Sequence, residues 1–189
     1  MRTFFCFELP GKVKDEIKSM AESITGPAYV KWVSRENLHI TLKFLGDVGR
    51  DQVQRIENSA SSTAARFEPF EITIDKLSGF PNPGFPKVIW LGSSSPPPDI
   101  DRLHDDLESE LEELGFEREN RDYVPHVTLG RTKDDDERKI ERLGDNLTAL
   151  DHDFSEKVSI DKLTLMKSEL KPQGPEYTPL FRLKLGEAK

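Results

Sequence analysis

The chain has 189 residues, of which 35% are hydrophobic and 33% are charged, and its formal net charge at pH 7 is -8. This composition is polar for a globular protein but short of a disordered one, and the length suits one generous domain or two lobes that share a core. The acidic balance excludes a protein that wraps nucleic acid through many phosphate contacts, but not one that grips one or two phosphates locally.

Cysteine usage and the first residues bear on the compartment. The single Cys6 cannot form an internal disulfide, and the apolar stretch 1–10 is too short for a signal peptide or a membrane span. We therefore expect a cytoplasmic protein without membrane contact. The sequence contains no Gly-rich phosphate loop and no Cys/His cluster with zinc spacing, so neither a cofactor nor a metal is predicted.

Strand and helix periodicities follow one another along the chain. The first half predicts, in order, a strand at 3–9, a helix at 10–23, strands at 29–33 and 38–45, a helix at 50–65 and a strand at 69–77. A Pro/Gly-rich loop at 79–86, a candidate wall of the site, leads into a strand at 87–92. The second half predicts a helix at 99–114, a strand at 125–129, a helix at 134–147 and strands at 154–160, 162–167 and 178–185.

Two short stretches repeat within this plan. Leu38-His39-Ile40-Thr41-Leu42 and Pro125-His126-Val127-Thr128-Leu129 share a His-x-Thr core, and the two histidines are 87 residues apart (126 − 39). The sequence Ile-Asp-Lys-Leu occurs at 74–77 and again at 160–163, following the histidines at nearly the same distance. A period of about half the chain indicates a duplicated α+β unit.

Each His-x-Thr stretch reads as a strand that places its histidine and threonine on one face and its apolar residues on the other. Imidazole accepts or donates a proton near pH 7, so two such residues across a cleft can serve as base and acid in one displacement. A neighbouring threonine hydroxyl can bind a phosphate oxygen. The pattern predicts attack by water on a phosphodiester, with His39 and His126 as the acid and base and Thr41 and Thr128 holding the phosphate.

Other side chains are weaker candidates. Arg131 offers planar donors suited to phosphate, and Lys43, read on the same face as Thr41, is a second cation. Phe44 could stack on a base, as could Trp32. His104 and His152 lack such a context and are interpreted as solvated surface, and the acidic runs 108–113 and 134–137 as solvated helix faces.

The paired motifs resemble the 2H phosphoesterase superfamily, and more closely its RNA 2',3'-cyclic phosphodiesterases, also called 2'-5' RNA ligases. The resemblance covers nearly the whole chain. It is carried by residues 2–10, 39–46, 88–92, 125–131, 168–170 and 174–177.

The resemblance implies a single domain over residues 1–189 with an α+β fold. Two pseudosymmetric lobes, each contributing one His-x-Thr strand (38–42 and 125–129), would place two antiparallel sheets around a central cleft, with helices on the outer faces. It further implies hydrolysis of RNA 2',3'-cyclic phosphate ends to 2'-phosphomonoesters without a metal, with His39 as proton donor and His126 as acceptor, and ligation as the reverse reaction.

Two alternatives stay open at this point. One is a binding module for RNA ends or nucleotides that does not turn its ligand over. The other is a related enzyme for a small cyclic nucleotide or another phosphodiester. A monomer is expected in each case.

Overall fold

The computed structural model describes residues 1–187, which fold into two antiparallel sheets and four α-helices. The strands are β1 (Arg2–Glu8), β2 (Val30–Trp32), β3 (His39–Asp47), β4 (Phe70–Ile74), β5 (Lys76–Asn82), β6 (Phe85–Gly92), β7 (His126–Thr132), β8 (Glu156–Ile160), β9 (Lys162–Lys171) and β10 (Gly174–Lys184). The helices are α1 (Gly11–Ser23), α2 (Arg50–Ala64), α3 (Pro98–Glu112) and α4 (Glu137–Ala149). The predicted α+β class with antiparallel sheets is confirmed.

The large sheet has the order β10-β9-β1-β3-β7-β6-β5, and β2 pairs with β7 beside β3. The six strands from β9 to β5 form a mirrored series, because β9-β1-β3 and β5-β6-β7 occupy equivalent places on the two sides of the point where β3 meets β7. At that midpoint β3 and β7 pair only through Ile40 and Val127, each next to a motif histidine. The two His-x-Thr stretches therefore start side by side at the centre of the sheet.

The small sheet consists of β4 and β8, and the Ile-Asp-Lys-Leu repeat explains how it joins the large one. β4 ends at Ile74 and β8 at Ile160, and a single aspartate separates each from the next strand. Asp75 accepts hydrogen bonds at 2.7 Å from both the backbone N–H and the hydroxyl of Ser94, which fixes its corner. The repeat thus marks two equivalent corners where the chain moves from the small sheet to the large one.

Helix faces and strand faces share one main core. α3 buries Ile100, Leu103, Leu107 and Leu111, a spacing of three and four residues that forms one apolar stripe. α1 contacts β7 and α3 contacts β3, so each of these two helices lies against a strand that carries a His-x-Thr motif.

Several predicted boundaries were wrong, and three of them have a physical reason in the structure. The strand predicted at 69–77 is divided between the two sheets at Asp75, and most of the loop predicted at 79–86 is paired strand. Gly79 permits this close hairpin, because a Cβ there would lie 2.7 Å from Pro86 Cβ. The predicted helix at 134–147 begins later, at Glu137, because the Asp136 carboxylate caps it by accepting the N–H of Arg138.

Candidate active site

His39 is held by the turn before β3 and by Thr41 of β3. Its Nδ1 lies 2.6 Å from the carbonyl oxygen of Asn37, and because a carbonyl only accepts, Nδ1 carries the proton. In the neutral ring Nε2 is then an acceptor, and the Thr41 hydroxyl, 2.9 Å away, donates to it. The rings of Phe4 and Tyr177 pack against the imidazole, with centroid distances of 4.9 and 5.4 Å.

His126 repeats this arrangement in the second half of the chain. Its Nδ1 donates to the carbonyl oxygen of Val124 at 2.7 Å, again two residues earlier, which leaves Nε2 as the free acceptor. Phe80 and Trp90 pack against its ring, with centroid distances of 5.1 and 5.8 Å. Phe80 lies in the segment 79–86, which was predicted as a loop at the wall of the site. In the structure it belongs to the paired strand β5, and its contact with His126 comes from that strand.

Both histidines and both threonines line one cleft of about 690 Å³. Arg131, Phe44 and Trp32 line it as well, so seven of the eight side chains proposed from the sequence as site residues meet in one place. Lys43 is the exception. It is 1% exposed, and its Nζ lies 2.7 Å from Glu108 Oε2 on the core side of the sheet.

Two matching β-bulges explain these orientations. β3 gains one residue against β1 at Leu42, between the pairs Thr41–Cys6 and Lys43–Phe5. β7 gains one residue against β6 at Leu129, in the equivalent place. A bulge shifts the alternation of side chains by one position, so the residue two after each threonine turns from the cleft and the next one faces it. The bulges therefore send Lys43 into the core and bring Phe44 and Arg131 into the cleft.

The environment lowers the pKa of both histidines. Burial is the main cause for His39, whose pKa falls from 6.5 to about 4, with Lys14 and His126 contributing to the decrease. Burial also lowers the pKa of His126, and the nearby Arg131 guanidinium acts in the same direction. Both rings are neutral near pH 7 in the free cleft, and an anion bound between them would raise both pKa values.

Sequence reasoning missed three cations of the cleft, Lys31, Lys133 and Lys171. Lys31 lies opposite Arg131 where β2 pairs with β7, and Lys133 follows Arg131 by two residues. Lys133 could have been predicted, because strand alternation places it on the same face as Arg131. Lys31 could not, because it reaches the cleft only through the long-range pairing of β2 with β7. We call Lys31, Lys133 and Lys171 the basic strip; it lies beside the two motifs although the protein as a whole is acidic.

His104 was predicted to be solvated at the surface, and this prediction was wrong. It is 6% exposed, and it stacks on Tyr123 with ring centroids 4.2 Å apart. Within residues 1–187, no three His, Cys, Asp or Glu side chains come together in a way that could hold a metal ion.

Comparisons with known proteins show the family of the chain. The family model described as the 2'-5' RNA ligase superfamily matches residues 10–172. The chain belongs to the 2'-5' RNA ligase superfamily. The family predicted from the His-x-Thr stretches is thereby confirmed, and with it the prediction of a phosphoesterase enzyme.

Two curated relatives match over nearly their whole length. The chain is 39% identical over 186 residues to a protein of Methanothermobacter thermautotrophicus, covering 97% of this chain and 99% of the relative. It is 28% identical to a protein of Escherichia coli, covering 96% and 94%. Both are named RNA 2',3'-cyclic phosphodiesterase.

Solved structures of similar proteins share the fold across the whole chain. TT0787 of Thermus thermophilus matches with a TM-score of 0.80 and 26% identity, covering 98% of each chain. Escherichia coli LigT complexed with 3'-AMP matches with a TM-score of 0.75 and 27% identity, again over 98% of each chain.

None of the helices in the described part of the chain is long and apolar enough to cross a membrane.

Proposed function

We propose that this chain hydrolyses RNA 2',3'-cyclic phosphate ends to 2'-phosphomonoesters. The observation that carries the proposal is the pair of histidines in one cleft, each fixed by a backbone carbonyl in the tautomer that leaves Nε2 as an acceptor. The names of the curated relatives supply the substrate class. We further propose that the chain is one domain of two pseudosymmetric lobes that meet where β3 pairs with β7. A cytoplasmic location and a monomeric state remain predictions.

The proposed reaction is a single in-line displacement. His126 takes a proton from water as the water oxygen bonds to phosphorus, and the bond from phosphorus to the 3' oxygen breaks. His39 gives its proton to that leaving oxygen, so the products are a 2'-phosphate and a 3' hydroxyl. The assignment of donor and acceptor follows the family resemblance, since the geometry of the two rings is nearly equivalent.

The phosphate would be held by Thr41, Thr128 and Arg131. The Thr41 hydroxyl donates to His39 Nε2 in the free protein, and it becomes free for a phosphate oxygen once that nitrogen is protonated. The negative charge of the substrate favours this protonation. No metal takes part in the proposed steps. If a 5' hydroxyl replaced water as the nucleophile, the same displacement would join the cyclic-phosphate end to it through a 2'-5' phosphodiester and release the 3' hydroxyl.

The direct test is incubation of the wild-type chain with a short RNA that ends in a 2',3'-cyclic phosphate, followed by phosphorus NMR of the product. Conversion to a 2'-phosphomonoester is expected. Tight binding without conversion would support the binding-module alternative and contradict the proposal. Faster conversion of a small cyclic nucleotide than of RNA would favour the alternative of an enzyme for small cyclic nucleotides. The complex of LigT with 3'-AMP, a mononucleotide, is the observation that favours this alternative.

The pH profile follows from the two lowered pKa values. The reaction needs one protonated and one neutral histidine, and kcat/KM reflects the pKa values of the free enzyme. Because both values lie below 6.5, the singly protonated cleft is most abundant at acidic pH and becomes rarer as the pH rises. We expect kcat/KM to fall steadily between pH 6.5 and 8.5. A maximum above pH 8 would contradict this assignment.

The basic strip predicts a preference for longer RNA. Lys31→Ser/Lys133→Ser is expected to raise KM for an RNA oligomer several-fold and to leave KM for a cyclic mononucleotide unchanged, since only the oligomer has further phosphates. The slope of log KM against log salt should flatten by about 0.7 for each phosphate that the double variant no longer binds.

Lys157→Ser on β8 is the matched control, because Lys157 does not line the cleft and pairs with Glu71 at the surface. Equal effects of the double variant on oligomer and mononucleotide would contradict the predicted role of the strip.

A further inference from the structure

A cluster of buried polar side chains lies behind the cleft, on the core side of β3. We call Lys43, Glu108, His104 and the partly buried Tyr123 the buried cluster. Lys43 and Glu108 are 1% and 2% exposed, and the Nζ of Lys43 lies 2.7 Å from Glu108 Oε2. His104 Nε2 lies 3.6 Å from the other carboxylate oxygen of Glu108. A buried ion pair is costly to desolvate and is weak evidence of a contribution to stability, so its role calls for another explanation.

The ion pair binds the segment that leads into β7. Lys43 Nζ donates to the carbonyl oxygen of Glu117 at 2.8 Å, and the backbone N–H of Glu119 donates to Glu108 Oε2 at 3.3 Å. These contacts fall within residues 113–125, which run from the end of α3 to His126 without a helix or strand. Irregular segments of this length in compact domains are uncommon and are usually either functional or linkers, and the contacts of this one with the ion pair favour a functional role.

Tyr123 links the same segment to the first motif. Its ring stacks on His104 with an interplanar angle of 7°, and its hydroxyl donates to the backbone carbonyl of Thr41 at 3.1 Å. The next residue, Val124, provides the carbonyl that accepts the Nδ1 proton of His126. One dipeptide therefore touches the backbone of the first motif and orients the histidine of the second.

We propose that the buried cluster positions the two motifs relative to each other. Lys43, Glu108 and Tyr123 are positioning residues in this account: they fix the 113–125 segment against β3, and so hold Thr41 and His126 in the geometry that both need. None of them lines the cleft. The inference rests on the catalytic roles proposed above for His39, Thr41 and His126.

The first test separates positioning from stability. In Lys43→Met/Glu108→Leu the whole ion pair is replaced by apolar side chains, a change that commonly leaves stability equal or higher, whereas either single change would strand a buried charge. We expect the double variant to melt within a few degrees of wild type or above it, while kcat on cyclic-phosphate RNA falls at least tenfold and KM changes little.

The control is Lys157→Met/Glu71→Leu, the same pair of substitutions at an exposed ion pair between β4 and β8, with kcat unchanged. Wild-type kcat in the Lys43/Glu108 double variant would overturn the role of that pair.

The second test does not depend on turnover. Tyr123→Phe removes only the hydroxyl that holds the Thr41 backbone, and Tyr29→Phe is its exposed control. Because the Thr41 hydroxyl donates to neutral His39, displacement of Thr41 weakens that bond, and the pKa of His39, followed by NMR of the ring protons, should rise by roughly half to one unit. An unmoved titration would overturn the role of Tyr123. An inactive wild-type chain whose His39 titration still shifts in Tyr123→Phe would overturn the proposed function and support the positioning.

Discussion

His39→Ala and His126→Ala are each expected to lower kcat on a cyclic-phosphate RNA by about 10²- to 10⁴-fold. Each change removes the side chain that makes one of the two proton transfers. No other histidine of the described residues lines the cleft to replace it. The remaining threonines and Arg131 would still bind the phosphate, so KM should change much less than kcat. Steady-state kinetics at pH 6.5 and at pH 8 would measure both effects.

The fold should survive both changes, since each ring lies at the cleft surface rather than in the main core. Circular dichroism and thermal unfolding would check this. His152→Ala, outside the cleft, is the matched control with unchanged kcat. Activity within tenfold of wild type in either His39→Ala or His126→Ala would contradict the two-histidine mechanism.

Thr41→Val and Thr128→Val form the second prediction, with an expected loss of about 2–4 kcal/mol of transition-state stabilisation for each, comparable to the loss of one oxyanion donor. Valine keeps the shape of threonine and its strand preference, so the change removes little besides the hydroxyl. On the same scale tenfold in rate corresponds to about 1.4 kcal/mol, so the expected loss in kcat is roughly 30- to 1000-fold.

The two threonines should differ in one respect. Thr41 donates to His39 Nε2, whereas Thr128 has no such bond in the free protein, so only Thr41→Val should also raise the pKa of His39. Histidine NMR titrations of both variants would show this difference. Less than tenfold loss in kcat for both threonine variants would contradict direct contact with the phosphate.

Local pattern was sufficient to predict the motif strands and their chemistry. Alternation placed His39 and Thr41 on one face, and again His126 and Thr128, and all four lie in the cleft. The spacing of the Ile-Asp-Lys-Leu repeat indicated duplication, and in the fold it marks equivalent corners between the two sheets. These features are predictable because period-two alternation and sequence repeats are properties of short segments.

The errors came from contacts between distant segments. Alternation read past Thr41 places Lys43 in the cleft, but the bulge at Leu42 depends on pairing with β1 and reverses that face. His104 looked solvated beside acidic neighbours on α3, yet it is covered by Tyr123 from the irregular segment after that helix. Lys31 joined the site through the pairing of β2 with β7. None of these pairings is encoded within one short stretch.

The most direct test of the central claim is hydrolysis of a short RNA ending in a 2',3'-cyclic phosphate by wild type and by His126→Ala, with EDTA present throughout. The account predicts a 2'-phosphate product from wild type at an undiminished rate and almost none from His126→Ala. Loss of the wild-type reaction in EDTA, or equal product from both proteins, would contradict a mechanism carried by the two histidines.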